Sequence, residues 1–298
     1  MDRFTIGHVR VHRSEEWQGP FLSPDLLFTG FDADRLAATR DAIPAGCLDK
    51  ETDAIQACIQ SWIFEAPGRT IVFDTGCGDH KTRPGIPLFD HLDTGFIARL
   101  AAAGFSPDDI DFVVCSHLHI DHVGWTTMLV DGDWVPAFPN ARYIFLQAYV
   151  EYWDPTKRHM FPDMLGEAVN ERFFEDSVRP ILDRNLADIV SGSIEIAADV
   201  RLAPNPGHTP GYQTLTLSSG AQCAMFVGDV MHHPLQILNP DWNSIFCEDA
   251  KLARTARLHV LARAADEDAV LVPAHFVGEH VVRVRRDSQG FRPMPAFA

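Results

Sequence analysis

The residues with the most chemistry to offer stand in one short run, His117-x-His119-x-Asp121-His122. It follows directly on the apolar stretch 112–115. In an extended segment, side chains two apart point the same way, so His117 and His119 can reach one ion together. Asp121 and His122 fall where the chain must turn, with Gly124 close behind, and can face a second ion. Imidazole nitrogen with carboxylate oxygen suits zinc, iron, manganese or cobalt better than calcium or magnesium. Three further residues extend the set. His208 sits in the turn-rich Pro206-Gly207-His208-Thr209-Pro210-Gly211, Asp229 follows the apolar run 224–227 and Gly228, and His275 follows the apolar run 269–272. Each alone at the end of a strand reads as structural. Beside the first cluster they read as more ligands.

The elements that must position these residues are mostly strands. Residues 4–11 read as a strand, followed by a long irregular arm to about residue 50. That arm carries Trp17, Phe21, Leu22, Leu26, Leu27, Phe28 and Phe31 among Pro and Gly. It packs onto the rest of the chain, or it walls a pocket or a dimer contact. Residues 55–64 pair with 70–73 across Pro67-Gly68. Residues 94–103 read as a helix ended by Gly104, and Ser106 caps a second start with Pro107 behind it. Short strands are expected at 112–115 and 143–146, then a mainly helical stretch over 167–188. Strands follow at 194–196, 200–203, 213–217 and 223–227, a helix at 248–265 and a strand at 269–272. Two batches of strands, each with helices and with polar clusters at strand ends, imply an α/β chain. Its helices pack outside a sheet sandwich, with a site along one edge. No Gly-, Ser- or Pro-rich linker divides it, so residues 1–298 are expected to form one domain with 1–50 packed upon it.

Composition narrows the partners. The chain has 298 residues, 46% of them hydrophobic, enough for a substantial core. Its 25 Lys and Arg against 41 Asp and Glu leave a net charge of -16, which repels a polyanion, so no nucleic-acid partner is expected. No apolar run approaches the roughly 20 residues of a membrane-spanning helix, and no secretory leader is evident. Cys47, Cys58, Cys77, Cys115, Cys223 and Cys247 form no C-x-x-C pair and read as buried free thiols, with the cytoplasm as the expected compartment.

The chain resembles the metallo-β-lactamase superfamily. The resemblance rests on Ser116-His117-Leu118-His119-Ile120-Asp121-His122-Val123-Gly124, Pro206-Gly207-His208-Thr209-Pro210-Gly211, Gly228-Asp229 and Pro273-Ala274-His275, in that order, with Asp74-Thr75-Gly76 ahead of them. It implies a four-layer αββα sandwich with a dinuclear site for two divalent metal ions, zinc foremost, with iron, manganese or cobalt also suited. His117, His119 and His208 would hold one ion. Asp121, His122 and His275 would hold the other, and Asp229 would bridge them with a water or hydroxide. Asp74 would orient a ligand, or simply cap its own turn. The implied activity is metal-dependent hydrolysis by a bridging hydroxide, with Asp121 and Asp229 at the reacting centre and Asp229 able to pass a proton to the leaving group.

Within the superfamily the long arm and the Pro-Gly-His-Thr-Pro-Gly loop look like the N-acyl-homoserine lactonases and their relatives, pyridoxolactonase and methyl parathion hydrolase. The expected substrate is a small lactone or carboxylic ester. An aryl-ester or phosphotriester hydrolase is the alternative, and a metal-dependent redox protein or a non-enzymatic binder are minor ones. His119 disfavours the flavo-diiron branch, which carries Glu there. The short tail after His275 disfavours the glyoxalase II type. Lactonases often carry His after the second Gly of that loop, where this chain has Tyr212. That tyrosine either hydrogen-bonds a substrate oxygen or packs in its strand. Trp125, Phe21, Leu22, Trp134, Met160, Phe161, Phe173 and Phe174 are candidates for an apolar pocket. His232 and His233, just past Asp229, are candidates for substrate contact or for support of the site. A homodimer is a further expectation from the resemblance.

Overall fold

The structure is a computed structural model that describes residues 2–160, 172–288 and 290–297. Two large sheets carry the described chain, and in each the strands lie side by side in chain order. The first sheet has seven strands: β1 (Arg3–Ile6), β2 (Val9–Pro20), β3 (Gln56–Ala66), β4 (Arg69–Phe73), β5 (Phe112–Val114), β6 (Arg142–Leu146) and β7 (Ala187–Val190). The second has five: β8 (Ile194–Ala197), β9 (Val200–Pro204), β10 (Gln213–Ser219), β11 (Gln222–Gly228) and β12 (Val270–Pro273). Antiparallel meanders open both sheets. Parallel strands close them, from β4 to β7 and at β11–β12.

The two-residue period of the strands sorts side chains into layers. Along β3, Trp62 and Phe64 point between the sheets while Ile63 points out. Phe226 of the second sheet meets Trp62, Phe64 and Phe73 at ring centroid distances of 6.4, 5.1 and 5.5 Å. Outside the first sheet, Ile63, Val72 and Val113 pack with Phe96 and Leu100 of the helix Phe96–Ala102. Outside the second, Met225, Val227 and Leu271 pack with Val260, Leu261 and Ala264 of the helix Ala250–Asp266. That helix is capped by Asp249, whose side chain accepts from the Leu252 amide. The result is helix, sheet, sheet, helix, the four-layer αββα sandwich. Short parallel strands buried on both faces, such as β12, are apolar throughout for this reason.

Several expected elements shift. The first strand is two, because Gly7, with φ 57°, turns the chain back and β2 then continues to Pro20 through what reads as irregular arm. The Ser106 start is a single 3-10 turn, closed by a reciprocal cap between Ser106 and Asp109. Within 167–188, residues 167–171 lie outside the described part. The remainder holds a π-helical turn Phe174–Val178, a short helix Arg179–Asp183 and strand β7. The six cysteines are free thiols. No helix among the described residues is long and apolar enough to cross a membrane.

Candidate metal centre

The centre forms where strands β4, β5, β11 and β12 end together. Their last residues are Phe73, Val114, Gly228 and Pro273, and each is followed within a few positions by a polar residue of the cluster. After β4 the chain turns at Asp74, with φ 55°. Its carboxylate accepts the Ser116 amide at 2.6 Å and the Ser116 hydroxyl at 3.0 Å, and it holds His122 Nδ1 at 3.0 Å. Asp74 thus ties the start of the His-rich run to its end. After β11, Gly228 adopts φ 50°, and a Cβ there would stand 2.3 Å from the Tyr212 hydroxyl. That close approach lets Tyr212 donate to the Val227 carbonyl at 2.7 Å and accept the Asp229 amide, which aims Asp229 inward.

Asp229 divides the cluster in two. Its Oδ2 faces His208 Nε2 at 3.4 Å and His117 Nε2 at 3.9 Å, and His208 Nε2 lies 3.2 Å from His119 Nδ1. Its Oδ1 faces His275 Nε2 at 3.0 Å and His122 Nε2 at 3.3 Å, and both of these stand 3.6 Å from Asp121 Oδ2. The ligand atoms of His117, His119 and His208 converge, as do those of Asp121, His122 and His275. His117 Nε2, His122 Nε2 and Asp229 Oδ1 are buried without a hydrogen bond. Buried polar atoms are normally paired, so several unpaired ones aimed at a common point fit a cation. The cluster therefore fits a metal site.

The outward nitrogens of His117, His208 and His275 are held. His117 Nδ1 meets the Ser116 hydroxyl at 3.0 Å, and His275 Nδ1 meets the Cys58 carbonyl at 2.9 Å. His208 Nδ1 lies 3.6 Å from Cys247 Sγ. Such partners fix ring orientation and leave the other nitrogen free for a metal. Burial pushes His117 and His208 well below the ordinary histidine value and His119 down to about 4, which favours the neutral imidazole a metal needs. Burial also opposes protonation of His275, but Asp229 and Asp121 outweigh it and lift that ring to about 9. For Asp229, burial is outweighed by His275, His122 and His232, which hold the carboxyl well below its usual range.

The profile of the metallo-beta-lactamase superfamily matches residues 59–275, spanning every residue of this cluster. The chain belongs to the metallo-beta-lactamase superfamily. Among named relatives, an N-acyl homoserine lactonase from Bacillus sp is 28% identical over 120 residues, 40% of this chain. The match spans 38% of that relative's length. Two solved structures share the fold over nearly the whole chain. One is the hydrolase AbOPH of the beta lactamase superfamily, with TM-score 0.80 and 21% identity, covering 99% of this chain and 97% of that one. The other is AidC, a dizinc quorum-quenching lactonase in complex with a product, with TM-score 0.77 and 21% identity, covering 98% and 96%.

On this superfamily scaffold a cavity of about 250 Å³ ends on His119, Asp121, Asp229, His232 and His275. Its walls include Trp17, Phe21, Ile55, Phe89 and Phe246, and among the described residues no Lys or Arg lines it. Phe21 is where the sequence places it. His232 lies at the floor, with Nε2 3.3 Å from Asp229 Oδ2. Other expected pocket residues are elsewhere. Leu22 packs in the apolar cluster behind the wall. Trp125 stacks on Phe96 at 5.1 Å and donates its indole N–H to Glu16. His233 is spent on the Cys47 carbonyl and the Leu235 amide. Tyr212 is fully buried with its hydroxyl engaged at Val227 and Asp229, so it packs in its strand and reaches no substrate. Trp134 carries the Lys81 ammonium on its ring, Met160 is exposed, and Phe173 and Phe174 are core. Phe161 lies outside the described residues. Trp17 was named from the sequence only as part of the arm, and Ile55, Phe89 and Phe246 were not singled out as pocket residues, because three separate segments supply them. The one local signal is in β2, where the alternation breaks at Glu15-Glu16-Trp17.

Proposed function

We propose that this protein is a dinuclear metal-dependent hydrolase that opens lactones or cleaves carboxylic esters with an uncharged, apolar acyl part. One observation carries the reading. A single carboxylate, Asp229, presents one oxygen to each of two ligand groups at the floor of an apolar cavity that no Lys or Arg lines among the described residues. The lactonase names among the relatives support it.

Zinc is the proposed metal, and two divalent ions in such a cluster supply Lewis acidity and a water whose pKa falls from about 15.7 to about 7. His117, His119 and His208 would hold one, Asp121, His122 and His275 the other, with Asp229 shared. The protein's own groups then do the rest. The cavity excludes water from the acyl chain and delivers the carbonyl to its floor. His232, buried there with both ring nitrogens free of hydrogen bonds, donates an N–H to the substrate's carbonyl or leaving oxygen. Asp229, ionised and open to the same floor, would take the proton lost by the attacking water and pass it to the leaving oxygen. No serine or cysteine nucleophile is required. The aromatic walls favour a second reading, hydrolysis of aryl esters or aryl phosphotriesters, in which rings stack on Trp17, Phe89 or Phe246.

Proton release in a pH-stat separates the two. With zinc-loaded protein and a medium-chain N-acyl-homoserine lactone, ring opening yields one acid per turnover. Release that vanishes in His117→Ala is the expected result. No release, with two metals per chain confirmed, removes the lactone and leaves an aryl ester and an aryl phosphotriester as the next probes.

A further inference from the structure

Strand β2 carries one residue more than its partner. Glu15 pairs with Gln60 and Trp17 with Ile59, so Glu16 has no opposite number on β3. An extra residue bends its strand and re-aims the side chains around it. Here Trp17 becomes a cavity wall, and Glu16 reaches the loops that carry the metal centre. Its carboxylate receives three hydrogen bonds. Oε2 accepts the Cys77 amide at 2.5 Å, and Oε1 accepts the Gly78 amide at 3.0 Å and the Trp125 indole N–H at 2.8 Å.

Those donors belong to the two segments that hold one side of the centre. Residues 74–78 begin with Asp74, the partner of Ser116 and His122. Residues 122–125 begin with His122 itself. The segments touch directly. The Thr75 amide and hydroxyl donate to the His122 carbonyl at 2.8 and 3.0 Å, the Gly124 amide to Gly76 at 2.7 Å, and the Trp125 amide to Thr75 at 2.8 Å. Glu16 binds both from a third element. The approach is close enough that a Cβ on Gly76 would stand 2.2 Å from Oε2.

We propose that Glu16 is a positioning residue for the metal centre, clamping the Asp74 loop to the turn behind His122 and so fixing the Asp121–His122 side. Charge-assisted bonds of this kind are the stronger ones, and two of the three donors are backbone amides. Withdrawal from water pushes the Glu16 carboxyl up to about 7, against the pull of Cys77, Trp125 and Gly78, with Asp79 adding to the rise. The cost of burying the carboxylate is what a device for position, rather than for stability, incurs. The inference rests on the proposed dinuclear metal site, and on the hydrolase reading only for its kinetic readout.

The test is Glu16→Gln, which keeps the shape but turns an NH2 group toward N–H donors. Competition with a chelator should show one of two zinc ions held about 10- to 100-fold more weakly. The kcat should fall by a similar factor with KM unchanged. Trp125→Phe removes one donor and keeps the ring on Phe96, and should weaken the same ion by less than about tenfold. The double variant should be no worse than Glu16→Gln, because both act through one clamp. Wild-type zinc affinity in Glu16→Gln, or losses that multiply in the double variant, overturns the proposal. If Glu16→Gln does not fold, Trp125→Phe decides alone, and unchanged affinity there overturns it. Weakened zinc in a protein that hydrolyses none of the ester, lactone and phosphotriester probes upholds Glu16 and sinks the hydrolase reading instead.

Discussion

Asp176 and Asp229 are both buried carboxylates ringed by nitrogen, yet their surroundings are built in opposite ways. Around Asp176 the charges are spent on one another. Arg83 grips it with two N–H groups at 2.6 and 2.8 Å, and the Ser177 hydroxyl donates at 2.6 Å. Lys81 reaches its Oδ1 at 3.4 Å, the Thr127 hydroxyl at 2.8 Å, and stands 3.8 Å from the Trp134 ring centre. Around Asp229, five histidines turn a nitrogen toward one carboxylate, and several of those atoms make no hydrogen bond. The first cluster is closed and sits against the core. The second opens on a cavity. Both carboxylates are buried and ringed by nitrogen, so neither feature marks function. What separates them is how far the protein itself satisfies the polar atoms: around Asp176, Arg83 Nε makes no hydrogen bond, whereas around Asp229, His117 Nε2, His122 Nε2, Asp229 Oδ1 and both His232 nitrogens make none.

Removing the carboxylate from each cluster tests that distinction, and the larger effect is expected at the open one. Asp229→Ala should lose both zinc ions and lower turnover by at least about 10³-fold. Metal content by elemental analysis and turnover on the best lactone or ester check it, and full activity with bound metal would break the assignment. The fold should survive, since five neighbouring histidines can stay neutral. Asp176→Ala should do the reverse. It leaves Lys81 and Arg83 buried without a counter-charge, a loss of about 3–5 kcal/mol. Urea unfolding reads the stability, while kcat per folded molecule and zinc stoichiometry should be unchanged. A drop in zinc content would mean that the closed cluster also serves the centre.

The open cluster was legible in the sequence and the closed one was not, for a physical reason. Metal ligands are chemically specific and their spacing follows strand geometry, so His117, His119, Asp121 and His122 announce themselves in six consecutive positions. Asp229 and His275 follow because each comes just after an apolar strand, and His208 because a Pro- and Gly-rich turn presents it. Lys81, Arg83 and Asp176 are common residue types far apart in the chain, and nothing local brings them together. The same holds for Glu16. Its role depends on a bulge in β2, on Cys77 and Gly78 sixty residues on, and on Trp125. Trp125 shows the converse error. Its place three residues past His122 points to the cavity, but the 3-10 turn Gly124–Thr126 swings the indole to Phe96 and Glu16. Helices outside a sheet sandwich were legible from strand batches, and the four αββα layers from the resemblance, whereas the extent of β2 was not, because Pro and Gly at its end mimic a loop.

The smallest effect should come from Lys81, which is the sharpest probe of how closed the Asp176 cluster is. In Lys81→Met the stem is replaced by an apolar chain, and Arg83 still pairs both Asp176 oxygens, so the change at pH 7 should stay within about 1 kcal/mol. The pH dependence should differ more than the stability. Burial pulls the Lys81 ammonium from 10.5 down to about 7, with Asp176 opposing. Between those values the unfolded chain holds a proton that the folded protein has shed. Stability from this group therefore rises as pH climbs from about 7 toward 10.5 and is at its lowest below 7. Lys81→Met lacks the group, so wild type should gain on it steadily across that window. Urea midpoints for both proteins at pH 6, 8 and 10 measure the difference. A gap that stays flat would mean that Asp176 holds Lys81 charged throughout, and that the closed cluster is a true triad of ions rather than one Arg–Asp pair with a lysine laid against it.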